Sequence, residues 1–178
     1  MIILYKGARG RGKTLSMVKD GLAYYLEGYK VIRNFDCSFG EYIDNEEILT
    51  LSKDSNLNNC VMMIDEVQIF FDNRRSMTKQ NITFSNFVQQ IRKRNIIILC
   101  TTQYSNTIDV RLRQHLDIIA FPNFNQLLNI CVVTYMDLTR LQDDVSILGI
   151  GEMKPTIAKI VFNAMPIFKM YNTGEMIV

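Results

Sequence analysis

The chain has 178 residues, 48% of them hydrophobic and 21% charged, with 3 Pro and 9 Gly, which excludes a disordered, collagen-like or low-complexity chain and makes one domain, residues 1–178, the default. A chain of this length buries roughly 70% of its unfolded surface, so its core needs no disulfide or metal, and Cys37, Cys60, Cys100 and Cys131 show no zinc-ligand spacing. Twenty Lys and Arg against 18 Asp and Glu leave a net charge of +2, so any affinity for nucleic acid has to come from local patches.

Met1 to Tyr5 is an apolar run of strand length that stops at the glycine-rich stretch Gly7 to Gly12. From Thr14, Leu15, Val18, Leu22 and Leu26 recur at helical spacing until Gly28, a C-terminal cap glycine. Lys30 to Phe35 returns to a strand pattern, so the opening forms a β-α-β unit that favours a parallel sheet. A short helix around Asn45 to Leu51 and a polar loop, Ser52 to Asn59, lead to a buried strand, Cys60 to Ile64. Phe84, Phe87, Val88 and Ile91 line one face of a helix over Ile82 to Ile91, with Arg92-Lys93-Arg94 in its last turn and Asn95 as its cap. Ile96 to Cys100 is a third buried strand. Ile108 to His115 reads as a short helix, and Asp117 to Phe121 as a strand closed by Pro122. Leu127 to Tyr135 and Ile157 to Phe162 have strand composition and suit antiparallel additions to one edge. The fold class expected is α/β, a mainly parallel sheet flanked by helices. Apolar runs such as Ile96 to Cys100 fall far short of the roughly 18 residues a bilayer span needs. The expected chain therefore lacks a signal peptide and membrane insertion and is cytoplasmic, with its thiols reduced.

Gly7-Ala-Arg-Gly-Arg-Gly12-Lys13-Thr14 satisfies G-x-x-x-x-G-K-[ST] between a predicted strand and a predicted helix, the context the pattern requires. Glycines let backbone N–H groups turn inward around phosphate oxygens, Lys13 reaches the β- and γ-phosphates, and the Thr14 hydroxyl can hold Mg²⁺. The candidate nucleotide-binding residues are Gly7, Ala8, Arg9, Gly10, Arg11, Gly12, Lys13, Thr14 and Leu15. The pattern leaves the side chains of Arg9 and Arg11 unspecified, and solvent is their expected surrounding. Asp65-Glu66 ends the strand that begins at Cys60, so Asp65 is a candidate Mg²⁺ ligand and Glu66 a candidate general base for an attacking water. ATP and Mg²⁺ are the expected cofactors. Gln103, just beyond the third strand, suits contact with a γ-phosphate or its water. Arg92, Arg94, Arg111 and Arg113 are candidates for an arginine donated to a neighbouring subunit, Arg92 first among them.

With these pieces in this order the chain resembles the FtsK–HerA superfamily of P-loop DNA-pumping ATPases, and within it the small viral packaging ATPases and the Zot-like proteins of filamentous phages. The resemblance is carried by Gly7 to Thr14, Ile64-Asp65-Glu66, Arg92-Lys93-Arg94, Cys100-Thr-Thr-Gln103 and Ile108 to Arg113, with a Phe-x-x-Tyr-Asn-Thr-x-Glu tail from Phe168 to Glu175. It implies a RecA-like core, a ring of subunits (hexamer or pentamer) with nucleotide between neighbours, Gln103 as γ-phosphate sensor and an arginine supplied across the interface. The transmembrane segment and further domain of Zot-like phage proteins have no counterpart in these residues, nor do the membrane region and DNA-reading module of FtsK. The expectation is thus a minimal motor moving double-stranded DNA, docking on a capsid or portal protein, to package a viral or mobile-element genome. DNA contacts, backbone-directed, would come from Arg74, Arg75 and Lys79 and from Arg92 to Arg94, with Ser76 to Asn81 as a candidate pore loop.

Two other readings stay open. Asp65-Glu66-Val-Gln68-Ile-Phe70 is similar to a stretch of the zinc-containing thymidine kinases, which also need paired cysteines that this chain lacks. An assembly or morphogenesis protein that uses ATP as a conformational switch would carry the same motifs.

Overall fold

Apolar runs alternating with amphipathic helices build one eight-stranded sheet in the computed structural model, which describes residues 1–51, 56–70, 86–103, 110–139 and 156–172, without the side chains of residues 110 and 111. The strands are β1 (Ile2–Lys6), β2 (Lys30–Arg33), β3 (Glu41–Tyr42), β4 (Cys60–Ile64), β5 (Ile96–Thr102), β6 (Ile118–Asn125), β7 (Ile130–Asp137) and β8 (Thr156–Asn163). Their order is β3-β2-β4-β5-β1-β6-β7-β8. All pairs from β3 to β6 are parallel, and β7 and β8 add on antiparallel.

Burial explains the two textures. Residues of β4 are buried throughout and those of β5 nearly so, as parallel strands covered on both faces must be. In β7 burial alternates, and β8 is largely exposed. Ile2, Leu4, Met62, Ile64 and Ile98 face one core layer, and Ile3, Tyr5, Val61, Met63 and Leu99 the other, the two-residue period of a strand. Helix α1 (Lys13–Leu26) covers the second layer with Leu15, Met17 and Val18. Each such burial stabilises by about 1.5–3 kcal/mol. Gly21 lets α1 approach the sheet, because a Cβ there would lie 2.1 Å from Met63 Sδ. The opposite layer is covered by helix α2 (Asn45–Leu51) through Ile48, by helical residues 86–90 through Phe87 and Val88, and by Leu112 of the short helix Val110–Gln114.

Helix α1 ends as expected: Gly28 has φ 89, its N–H donates to Tyr25 O and that of Tyr29 to Tyr24 O, a Schellman cap. Several strand boundaries differ from expectation: β2 stops at Arg33, β5 runs on to Thr102 and β7 to Asp137, and two further differences have a plain cause. Pro122 does not close β6, which pairs with β7 as far as Asn125. The Phe124 N–H points away from β7 to Arg11 O, 3.2 Å away, so the N–H that Pro122 lacks would face the same side, beyond the last β1 pairing at Tyr5↔Ala120. No ladder bond is lost there. Strand β7 begins at Ile130, not Leu127, because Leu127 and Leu128 stand exposed in the β6–β7 turn. The two-residue β3 was not foreseen.

All four cysteines are buried free thiols, and burial pushes Cys60 up to about 11. Among the described residues no helix is long and apolar enough to cross a membrane. The candidate pore loop, with Arg74, Arg75 and Lys79, lies outside the described residues, as do Phe84 and the tail beyond Asn172.

Candidate active site

Strands β4, β5 and β1 lie side by side and parallel, so their C-terminal ends open on one edge. The pairing Ile64↔Cys100 and Lys6↔Thr102 sets Asp65 level with Thr101 and Gly7 level with Gln103, two residues further along the same edge. That edge of an open α/β sheet is where ligands bind.

The loop between β1 and α1 turns through Gly10 and Gly12, at φ 72 and 85. Only Gly12 also meets a wall, since a Cβ there would lie 3.1 Å from both Cys131 Sγ and Phe124 Cβ. The extension of β6 past Pro122 thus forms the bed of the loop. Arg11 contributes to it: its Nη1 donates to Asn123 Oδ1 at 2.8 Å, in place of the solvated side chain expected. Arg9 remains exposed. Lys13 is nearly buried, and its Nζ donates to Ala8 O at 3.3 Å across the loop. Burial lowers the Lys13 ammonium below its ordinary pKa, against the pull of Glu66 and Asp65.

Thr14, in the first turn of α1, donates its hydroxyl to Asp65 Oδ1 and Oδ2 at 3.2 and 3.3 Å. The Thr101 hydroxyl, on the strand between them, also donates to Asp65 Oδ1 and accepts the Glu66 N–H at 2.9 Å. From the other side, Asn34 at the end of β2 brackets the acid's backbone. Its Oδ1 accepts the Asp65 N–H at 2.8 Å and its Nδ2 donates to Asp65 O at 3.2 Å. Burial raises the Asp65 carboxyl above the usual carboxylate range, opposed by the Thr101 and Thr14 hydroxyls and by Lys13. A cation beside it would favour its ionised form. Glu66 turns through a left-handed conformation, φ 55 and ψ 58, into a short 3₁₀ turn, Val67–Ile69. Its Oε1 accepts from Gln103 Nε2 at 3.2 Å, and its Oε2 from Gln68 Nε2.

The structure therefore brings Gly7 to Thr14, Asp65, Glu66 and Gln103 together, and adds Asn34, Thr101 and Gln68, which sequence reasoning did not assign. The Leu15 side chain is buried in the core layer beneath the loop. Among the described residues no three metal-ligating His, Cys, Asp or Glu side chains cluster. Thr14 and Asp65 could supply the protein's share of a Mg²⁺ shell, the remainder coming from phosphate and water. The donor set fits such a group: a hard hydroxyl and carboxylate already in contact, with the Lys13 ammonium close enough to interact with Asp65 and Glu66.

The candidate arginines lie elsewhere. Arg92 and Arg94 precede β5 and Gln103 follows it; the strand's 7 residues span roughly 23 Å. Neither arginine reaches the site of its own chain. The Arg92 Nη2 pairs with Asp117 Oδ1 at 2.5 Å beside a cleft of about 460 Å³ lined by Met1, Asn95, Asp137 and Thr139. Arg94 lies over the Phe87 ring. Arg113 is half-buried, its Nε without a hydrogen-bond partner among the described residues, and the Arg111 side chain is outside them.

The family model described as zonular occludens toxin (Zot) matches residues 40–174. The chain belongs to the Zot family. The match begins after the phosphate loop, so the loop stands on its own pattern and geometry. No curated protein matches this Zot-family chain in sequence. Among solved structures it is similar to the N-terminal domain of zonular occludens toxin from Neisseria meningitidis, at 16% identity and TM-score 0.64, covering 96% of this chain and 98% of that one. The genome packaging NTPase B204 from Sulfolobus turreted icosahedral virus 2, solved with ATP-γS, is similar at 11% identity and TM-score 0.57 over 96% of each chain. The flagellar accessory protein FlaH from Methanocaldococcus jannaschii is similar at 13% identity and TM-score 0.55, over 91% of this chain and 84% of that one. These likenesses agree with the RecA-like P-loop fold: a Zot-family sheet with β5 inserted between the strand of the phosphate loop and the strand of the acid pair.

Proposed function

We propose that this Zot-family chain is a Mg²⁺-dependent ATPase, one domain throughout, that works as a ring and moves DNA in viral packaging or assembly. The observation that carries the reading is the contact of Thr14 with Asp65, which closes the phosphate loop onto the acid-bearing strand. When bound, MgATP supplies the phosphoryl group to be transferred and the cation that offsets its charge. Backbone amides from Gly7 to Gly12 and the Lys13 ammonium would bind the phosphates, and Thr14 with Asp65 would hold Mg²⁺. Glu66 would take a proton from water at Oε1. Gln103, whose amide rests on that same oxygen, would report the γ-phosphate by changing partner.

The ring would be completed by an arginine donated across a subunit interface, for which Arg92 and Arg94, at the far end of β5 from their own site, are the candidates. B204, solved as a packaging NTPase, supports packaging, and DNA, a portal or capsid partner and cytoplasmic work belong to this proposal. The Zot-family match favours a second reading: assembly of a virion with ATP as a switch and little DNA movement. ATP hydrolysis measured with and without linear duplex DNA, beside the solution mass, separates the two. Strong stimulation and a five- or six-subunit mass support the motor. A DNA-indifferent monomer supports the switch.

A further inference from the structure

The geometry points to Gln68 as a positioning residue for Glu66: it fixes one oxygen of the carboxylate so that the other is presented to water. This rests on the reading of Glu66 as the base. Gln68 stands two residues beyond Glu66, in the 3₁₀ turn Val67–Ile69. The turn is anchored on both sides of it, because Val67 and Phe70 are buried in the core and Phe70 N donates to Val67 O at 3.0 Å. The Gln68 backbone is therefore held in place while its side chain turns back to the site.

Both ends of that side chain are engaged. Its Nε2 donates to Glu66 Oε2, and its Oε1 accepts the hydroxyl of Thr102 at 3.2 Å. Thr102 is fully buried at the end of β5 and paired with Lys6, so the amide has a rigid backstop. Gln103 meets the other oxygen, Oε1, at 3.2 Å from the strand's exit. The two amides thus divide the carboxylate, and they are not equivalent. Gln68 is braced from behind by the sheet, whereas Gln103 stands at the mouth of the site, where a phosphate would compete for its N–H groups. Once Gln103 turns away, Oε1 is open to accept a proton from water, and Gln68 still sets the direction in which Oε1 faces. The left-handed backbone of Glu66 turns the acid out of the line of β4, and the Gln68 amide meets its carboxylate there.

The experiment uses Gln68→Met, which keeps length but removes the donor, and Gln68→Asn, which keeps the donor, each alone and with Glu66→Gln. Turnover, ATP affinity by equilibrium binding, melting temperature and the crystal structure of the nucleotide-free variant are measured. Gln68→Met is expected to lower kcat by about 10- to 100-fold, with ATP Kd and melting temperature near wild type and the Glu66 carboxylate displaced in the crystal. Gln68→Asn recovers part of the rate. In the Glu66→Gln background, single-turnover hydrolysis followed over hours shows no further loss from Gln68→Met, because both changes act through one group. Wild-type kcat in Gln68→Met, an undiminished loss in the Glu66→Gln background, or a parallel loss of ATP binding overturns the assignment. Wild-type turnover in Glu66→Gln overturns the base reading and this one with it; an inactive Glu66→Gln beside an unaffected Gln68→Met removes Gln68 alone.

Discussion

At the N-terminal end of the parallel strands, Asp117 accepts the Ile2 N–H on Oδ2 at 2.7 Å and Arg92 on Oδ1, while the Met1 ammonium donates to Ile96 O at 3.1 Å. At the C-terminal end, Asp65 and Glu66 are held by Thr14, Thr101, Gln68 and Gln103, whose polar groups converge on the mouth of the site. Both ends carry a carboxylate on two or more donors. They differ in what the donors belong to. Asp117 holds a strand start through the backbone N–H of Ile2, with the exposed Arg92 side chain as its second donor, so its bond to Ile2 holds the sheet. The donors on the Asp65 and Glu66 carboxylates are side-chain hydroxyls and amides, and those at the mouth, Thr14 and Gln103, can exchange partners without moving a strand. Damage at the first end should therefore appear as lost stability, and damage at the second as lost chemistry.

The largest expected effect is at the open end. Lys13→Ala should cut turnover by about 10²- to 10³-fold or more and abolish tight ATP binding, with the melting temperature nearly unchanged; a collapsed melting temperature would break the division. Asp117→Ala should do the reverse. It leaves the buried Ile2 N–H without its acceptor, at a cost of about 1–3 kcal/mol, readable by denaturant unfolding, while the ATP affinity of the folded fraction stays the same. Asp65→Asn sharpens the contrast through pH. Burial raises the Asp65 pKa, so its ionised form costs the nucleotide-free protein stability as pH rises through the folded pKa, and that cost vanishes below the ordinary carboxylate range. Asp65→Asn should melt higher than wild type at pH 7 to 8 and no higher at pH 3, while Mg²⁺-dependent turnover is lost. Arg92→Ala should be mildest on the isolated chain, at most about 1 kcal/mol, because its side chain is 66% exposed. If Arg92 serves a neighbour, hydrolysis by the assembled protein falls with little change in ATP affinity; equal loss of both makes the residue structural.

Much of the site was legible because its residues are local. Gly7 to Thr14 is one loop, Asp65-Glu66 one strand end, and the apolar runs of β1, β4 and β5 mark strands buried on both faces. What was not legible depends on pairing between distant segments. Asn34 reaches Asp65 only because β2 lies beside β4, with Arg33 opposite Met63. Thr101 reaches it only because β5 separates β4 from β1. Neither register can be read from the composition of a single strand. Gln68 stood in plain view within Asp65-Glu66-Val-Gln68, but its direction depends on the left-handed turn at Glu66, which no residue type there announces. Pro122 misled for a similar reason: a proline ends a strand only where its missing N–H would have been paired, and that depends on where β1 stops.

Equilibrium binding of ATP with Mg²⁺ and release of phosphate, followed side by side on Glu66→Gln and wild-type protein, bear on the whole reading. ATP should bind both with similar affinity while phosphate release from Glu66→Gln falls by about 10²- to 10⁴-fold. Wild-type release from Glu66→Gln, or no ATP bound by the wild-type chain, would contradict an ATP-hydrolysing site at the ends of β1, β4 and β5.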